Sequence, residues 1–242
     1  EAERASEGLP PRRSALSSQS AGYIQAIDMP GLVSLLQDRD GQLLLHRRPG
    51  DFTHAGEIIG ELASLHNIDE EFLEQVDGHI LRGDVRMPRQ DVECAVNELV
   101  EVAVRALSPG INDPFTAYAC IDRLRNSLCR LVRRAMPNPV HSDDKGMVRV
   151  VAEPHRFDRI LYAAFNQIRQ YGADSPGVAI RLLESLDALA RTSEQPAVRD
   201  AVAAQAAMVL ETAEKHDLCA NDMKDVRTRF EQVQCAVADF PT

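Results

Sequence analysis

The chain has 242 residues, 44% hydrophobic and 26% charged, which is apolar enough to bury one or two cores and too apolar for a disordered segment. Its formal charge of -10 argues against nucleic acid as the main partner, because neutralising phosphates takes a dense cationic surface. No run reaches the roughly 20 apolar residues that a bilayer-crossing helix needs, the best candidate, Ala201 to Leu210, being short and interrupted by Gln205.

The chain opens at Glu1 with neither a methionine nor a signal-peptide pattern, which reads as the edge of a fragment. Residues 1–19 are rich in Ser, Pro, Glu and Arg and read as a flexible tether. A small β module is expected over residues 20–64. In it Tyr23, Ile24 and Ile27 mark a strand, and Met29 to Asp38 a short helix opened by Pro30. Asp40 and Gly41 mark a turn, Leu43 to Arg47 a second strand, residues 49–51 a tight Pro-Gly-Asp turn, and Glu57 to Leu62 a third strand. The G-D-F-x-x-x-G segment resembles the hairpins of biotinyl and lipoyl carrier modules. A swinging arm needs a lysine at the tip, and the first lysine is Lys145, so that chemistry is excluded.

Residues 65–153 form the next expected segment, built on a helix–loop–helix with flanking strands. Ile68 to Val76 reads as an acidic helix and His79 to Met87 as a strand or connector. In Arg89 to Leu124, Val92, Val96, Leu99, Ala103 and Ala106 recur at helical steps, and Val100, Val104 and Leu107 widen the stripe into a largely buried helix. Pro109 and Gly110 stop it, and Asp113 followed by Pro114 starts the next, with Asp as N-cap and Pro at the first helical position. Ser108, Asn112, Asp113 and Thr116 therefore sit at a helix N-terminus, whose free amides suit an anion. The same residues also suit a turn that only caps and braces itself. Asp91, Glu98, Glu101 and Arg105 share the polar edge of the preceding helix, so Asp91, Glu101 and Arg105 join the candidate ligand-binding set.

The run ARALSPGINDPFTA, preceded by Asp91 and LVEVA, resembles the signature of a bacterial family known as domain of unknown function 2254, predicted membrane proteins. SAGYIQAID and RRPGDFTHAGEIIGEL resemble that family's entry into its soluble region, so the likeness spans most of residues 20–125. In the family's pattern the position of Glu101 is usually Asp and that of Glu98 usually Gln. The resemblance implies an N-terminal block of about four membrane helices in the intact protein, which would be this region's partner, with this chain on the cytoplasmic side.

After the loop, Ile121, Leu124, Leu128 and Leu131 continue the second helix on one side while Arg123, Ser127, Arg130 and Arg134 line another, until Pro137. Arg123, Arg130 and Arg134 suit anionic lipid headgroups; such a stripe is also an ordinary solvated face. Met147 to Ala152 reads as a strand pairing with His79 to Met87. Residues 154–242 read as a helical bundle, opened by Phe157, Ile160, Leu161, Ala164, Phe165 and Ile168 and closed by the helix of Met223, Val226, Phe230 and Val233. The fold class is therefore α+β, mainly helical, with a small N-terminal β module before a multi-helix bundle.

The five cysteines show no C-x-x-C spacing and read as reduced core residues of a cytoplasmic protein. No H-E-x-x-H, G-x-S-x-G, Walker or G-x-G-x-x-G motif occurs, so no catalytic residue, metal or cofactor is assigned. The leading reading is a soluble sensing or assembly domain of a membrane protein. The alternative is a membrane-tethered enzyme for a small anionic substrate at the Ser108 to Thr116 loop, and a third is a homo-oligomeric collar.

Overall fold

The computed structural model describes residues 12–153 and 155–239. It is α+β: among the described residues, strands dominate the first third and helices the remainder. Two compact units are present, the first from Glu1–Cys94 and Pro137–His155, the second from Ala95–Met136 and Arg156–Thr242. The segment expected over residues 65–153 is thus divided between them, since its two long helices share one apolar core with the C-terminal helices.

The first unit holds β1 (Arg12–Ser17), β2 (Gly22–Ile27), α1 (Met29–Asp38), β3 (Gly41–Leu45), β4 (Phe52–Thr53), β5 (Ile58–Ser64), α2 (Glu70–Gly78) and β6 (Ile80–Gly83). After a long excursion the chain returns with β7 (Val140–Ser142) and β8 (Val148–Val151). Five strands form one sheet in the order β1-β5-β3-β8-β7, and three form a second in the order β4-β2-β6. Leu16, Leu43, Leu62 and Val150 from the larger sheet share a buried core with Ile24, Leu32, Leu36 and Phe72. Asp28 caps α1 by accepting the Gly31 amide at 3.1 Å, which with the nearby His79 ring holds its carboxyl below the usual range.

Two expectations are corrected here. The tether contains a strand: Arg12 to Ser17 pairs antiparallel with β5, and Leu16 is fully buried. Its own apolar content is too low to announce it, because the partner strand supplies the hydrophobic surface. The rest of that segment, residues 1–11, lies outside the described residues. The strand at Met147 to Ala152 does not pair with His79 to Met87; β8 runs parallel to β3, with Leu43 opposite Val150, and antiparallel to β7. Val150 is fully buried and needs the apolar face of β3, while β6 pairs with β2.

Buried arginine–carboxylate pairs tie this unit together. Arg82 grips Asp77 through both terminal nitrogens, at 2.6 and 3.0 Å, with both side chains buried. Arg149 donates to Asp143 at 2.8 Å, and the Lys145 and Met147 amides donate to the other Asp143 oxygen. Burial alone would raise the Asp143 pKa, but these three donors outweigh it and hold the carboxyl below its ordinary value.

Among the described residues the regular elements of the second unit are all helices: most of α3 (Val92–Ala106), then α4 (Pro114–Leu131), α5 (Phe157–Tyr171), α6 (Pro176–Thr192), α7 (Pro196–Glu214) and α8 (Ala220–Ala238). Helices α4, α6 and α7 each open on proline, whose missing amide hydrogen costs nothing at a first turn. Helix α6 packs against α4, α7 and α8, and its Val178, Leu182, Leu186 and Leu189 are fully buried. Helix α3 is more amphipathic than expected: Val96, Val100, Ala103 and Ala106 are buried, but Val92 and Val102 are exposed. Cys120 is buried, whereas Cys219 and Cys235 are exposed, so the cysteines do not all belong to the core. Helix α4 stops at Leu131, before Pro137.

Replacing Arg82 by Met should leave the Asp77 carboxylate buried and alone, lowering stability by about 3–5 kcal/mol. Leu182→Ala should cost about 3–5 kcal/mol by opening a cavity between helices. Hydrogen exchange checks both, with faster exchange in the β2–β6 ladder for the first and in α6 for the second.

Candidate functional site

The loop between α3 and α4 closes on itself. Helix α3 gives up its last carbonyls to the turn: Ala103 O accepts from Leu107 N, Arg105 O from Ser108 N and Oγ, and Ala106 O from Asp113 N at 2.8 Å. Ser108 O in turn accepts the Ile111 and Asn112 amides. Asn112 sits at φ 49°, a left-handed conformation that Asn tolerates better than most residues. Asp113 is the N-cap of α4, accepting from Thr116 Oγ1 at 2.5 Å and Thr116 N at 3.1 Å. The Thr116 hydroxyl first, and then its amide, hold the Asp113 carboxyl below its ordinary pKa. The negative charge that suits a helix N-terminus is supplied from within the chain. Arg105 and Glu101 form an exposed pair at 2.6 Å one turn apart.

The side chains exposed at this tip include two large apolar ones beside the polar Asn112. Phe115 is 78% exposed and Ile111 56%, with Val102 exposed on the adjoining helix. Phe115 is braced edge-on by Tyr118 at 5.8 Å between ring centroids, and the Arg181 guanidinium lies over the Tyr118 ring. Along α4, Arg123 and Arg130 are exposed, as is Arg134 just past its end. Arg123 reaches the Ala119 carbonyl of its own helix, and among the described residues none of the three has a carboxylate partner.

Ser108, Asn112, Asp113 and Thr116 thus come together in one turn, with Arg105 and Glu101 one turn back on α3. Asp91 belongs to the first unit, where it caps α3 by accepting the Cys94 amide at 3.0 Å and is gripped by Arg86 through Nε at 2.7 Å and Nη2 at 3.0 Å. Beside it, Arg48 donates to Glu93 at 2.6 Å. Arg48 opens the Pro49-Gly50 turn, its amide held by the Asp51 carboxylate at 3.0 Å. Gly50 has φ 99°, and a Cβ there would lie 2.4 Å from Asp91 Oδ2, so this glycine is required twice over. Burial, reinforced by the Arg48 charge, pushes the His155 imidazole below its ordinary pKa. Among the described residues Arg48 Nη1, though buried, has no hydrogen-bond partner. Sequence reasoning missed Arg48, Arg86, Glu93 and His155; the two arginines ahead of the Pro-Gly turn were the available signal. Among the described residues no three His, Cys, Asp or Glu side chains converge as metal ligands.

The profile of the family described as Predicted membrane protein (DUF2254) matches residues 1–188. An uncharacterized protein of Mycobacterium bovis is 30% identical over 204 residues, covering 83% of this chain and 39% of its own length. An uncharacterized protein of Mycobacterium tuberculosis matches with the same identity and coverage. The chain therefore spans about two fifths of the length of these relatives. No solved structure matches. Among the described residues no helix is long and apolar enough to cross a membrane.

Asp113→Ala should lower the thermal midpoint at neutral pH. A carboxylate whose folded pKa is depressed stabilises above its unfolded value, about 4, and that stabilisation fades as pH falls through the folded value. The gap between variant and parent should therefore close in acid, and thermal scans from neutral pH downward check it. Gly50→Ala should cost about 1–3 kcal/mol through backbone strain alone, with the Asp91 clash added, read as a drop in the urea midpoint.

Proposed function

Because the chain belongs to the DUF2254 family of predicted membrane proteins, we propose that it is the soluble, cytoplasmic part of a bacterial integral membrane protein, acting in sensing or assembly rather than as a catalyst. The observation that carries this reading is the α3–α4 turn. The amides of Ser108, Ile111, Asn112 and Asp113 end on carbonyls of the same hairpin, and the large side chains it exposes, Ile111 and Phe115, are apolar, with the polar Asn112 between them. A surface of that kind gains by being covered and has little to offer a reacting group. The enzyme alternative would use the α4 amides as an anion cradle, and Asp113 already occupies that position.

In this reading a partner engages the turn from Ser108 to Thr116. Both flanking helices run into the helical core of the second unit, so a shift at the tip would be passed on by rigid packing. A partner biases such a shift only by the difference in its affinity for the two arrangements.

The test uses a longer membrane protein that carries this chain as one segment. Carbonate-washed membranes should retain the whole protein, and protease added from the cytoplasmic side should remove this segment. Phe115→Ser should change the assembled size on a native gel without releasing the protein from the membrane. Release by carbonate, or protection from cytoplasmic protease, would sink the reading.

A further inference from the structure

We propose that the outer face of α4, together with the tip that precedes it, is a docking surface for an anionic phospholipid bilayer. The inference rests on the membrane-protein reading above and adds the surface and the lipid chemistry. Three observations carry it independently of the family match.

First, the tip is prepared for a dry environment. A loop tip that reaches below the headgroups gains from satisfying its own backbone, because the hydrocarbon there offers no hydrogen bonds. Here the amides of Ser108, Ile111, Asn112 and Asp113 all end on carbonyls of the same hairpin. The carboxylate of Asp113 is engaged by Thr116, and Glu101 is neutralised by Arg105. The large side chains left outward are Phe115 and Ile111, an aromatic and an aliphatic of the sort that enters an interface, with the polar Asn112 between them.

Second, the cations lie on the same side. Steps of three and four residues along a helix return to one face, so Phe115, Asn126 and Arg130 share a stripe with Arg123 at its border. At 1.5 Å per residue this stripe runs about 22 Å from Phe115 to Arg130. Phe115 stands at one end of it and Arg130 at the other, with the exposed Arg134 three residues beyond the end of the helix. A helix lying flat would set the aromatic into the interface and the guanidinium groups among phosphates.

Third, the charge is local. From Asp113 to Met136 the chain carries five arginines against two aspartates, Asp113 and Asp122, while the protein as a whole stands at -10. Asp122 faces Arg125 and Arg181, so it does not cancel the stripe. Elsewhere the protein is acidic, and an anionic surface would attract this face and repel the remainder. That combination orients the molecule as well as holding it.

The chain has no tryptophan, so Phe115→Trp installs a single indole fluorophore at the tip. The full chain carrying it is titrated with phosphatidylcholine vesicles containing about one-third phosphatidylserine, against phosphatidylcholine alone. A blue shift and quenching by brominated acyl chains are expected with the anionic vesicles only, weakening as added salt shortens the screening length. Replacing Arg123, Arg130 and Arg134 together by Gln should weaken binding about a hundredfold, and the matching Lys variant should restore it. The Gln variant's unchanged circular dichroism would show that the fold survives. Equal response to both vesicle types, or none to either, overturns the proposal. So does a blue shift that grows with protein concentration without lipid, which would mean self-association, or one saturated by inorganic phosphate alone, which would mean a soluble anion site. A longer family protein that stays in washed membranes while the indole of the Phe115→Trp variant ignores vesicles would sink this inference and leave the membrane-protein reading standing.

Discussion

The bidentate grip of Arg86 on Asp91 is the contact around which the start of α3 is organised. One carboxylate satisfies a guanidinium through both nitrogens and also takes the Cys94 amide at the first turn. A buried carboxylate is tolerable only when its lone pairs are filled, and removing either arginine or cap would leave a charge stranded in a poor dielectric. The turn at Pro49 and Gly50 is pressed against it so closely that a methyl group would collide. Arg48, at the opening of that turn, reaches Glu93 on the same helix. Loop, helix start and ion pair therefore specify one another.

That pattern gives a physical meaning to the arginine bias. Of the 27 cations only Lys145, Lys215 and Lys224 are lysine. Arg82 on Asp77 and Arg86 on Asp91 use two parallel donors, and Arg149 reaches Asp143, Asp40 and the Gly41 carbonyl at once. An ammonium group is a point charge and cannot span such partners. Whatever set the composition, the first unit has come to depend on the planar fork.

The helices were legible because their ends are written in local chemistry. Asp28, Asp69 and Asp113 announce helix starts by capping, and Pro30, Pro114, Pro176 and Pro196 by position. Strands β1, β4 and β7 were not legible, since each is short or polar and exists only through a partner far along the chain. The boundaries of the signature turn can be read from its prolines and caps. Its chemistry follows from which groups bond to which, a matter of distance that spacing alone cannot supply. Asp91 shares a helical edge with Glu98 and Glu101 by count, yet it faces Arg86 and Gly50, because a cap residue lies just before the helix and escapes its periodicity.

The parallel pairing of β3 with β8 brings Leu43 beside Val150, across more than a hundred residues of intervening chain. During synthesis the larger sheet cannot gain its last two strands until α3 and α4 have both left the ribosome. Those helices emerge before α5 to α8, the neighbours with which they share a core. Each unit therefore waits on a piece of chain that the other interrupts. A fragment cut at Pro137 or His155 to isolate either part would leave a strand pair or a helix pair without its complement, so the gene offers no simple point at which to divide the two.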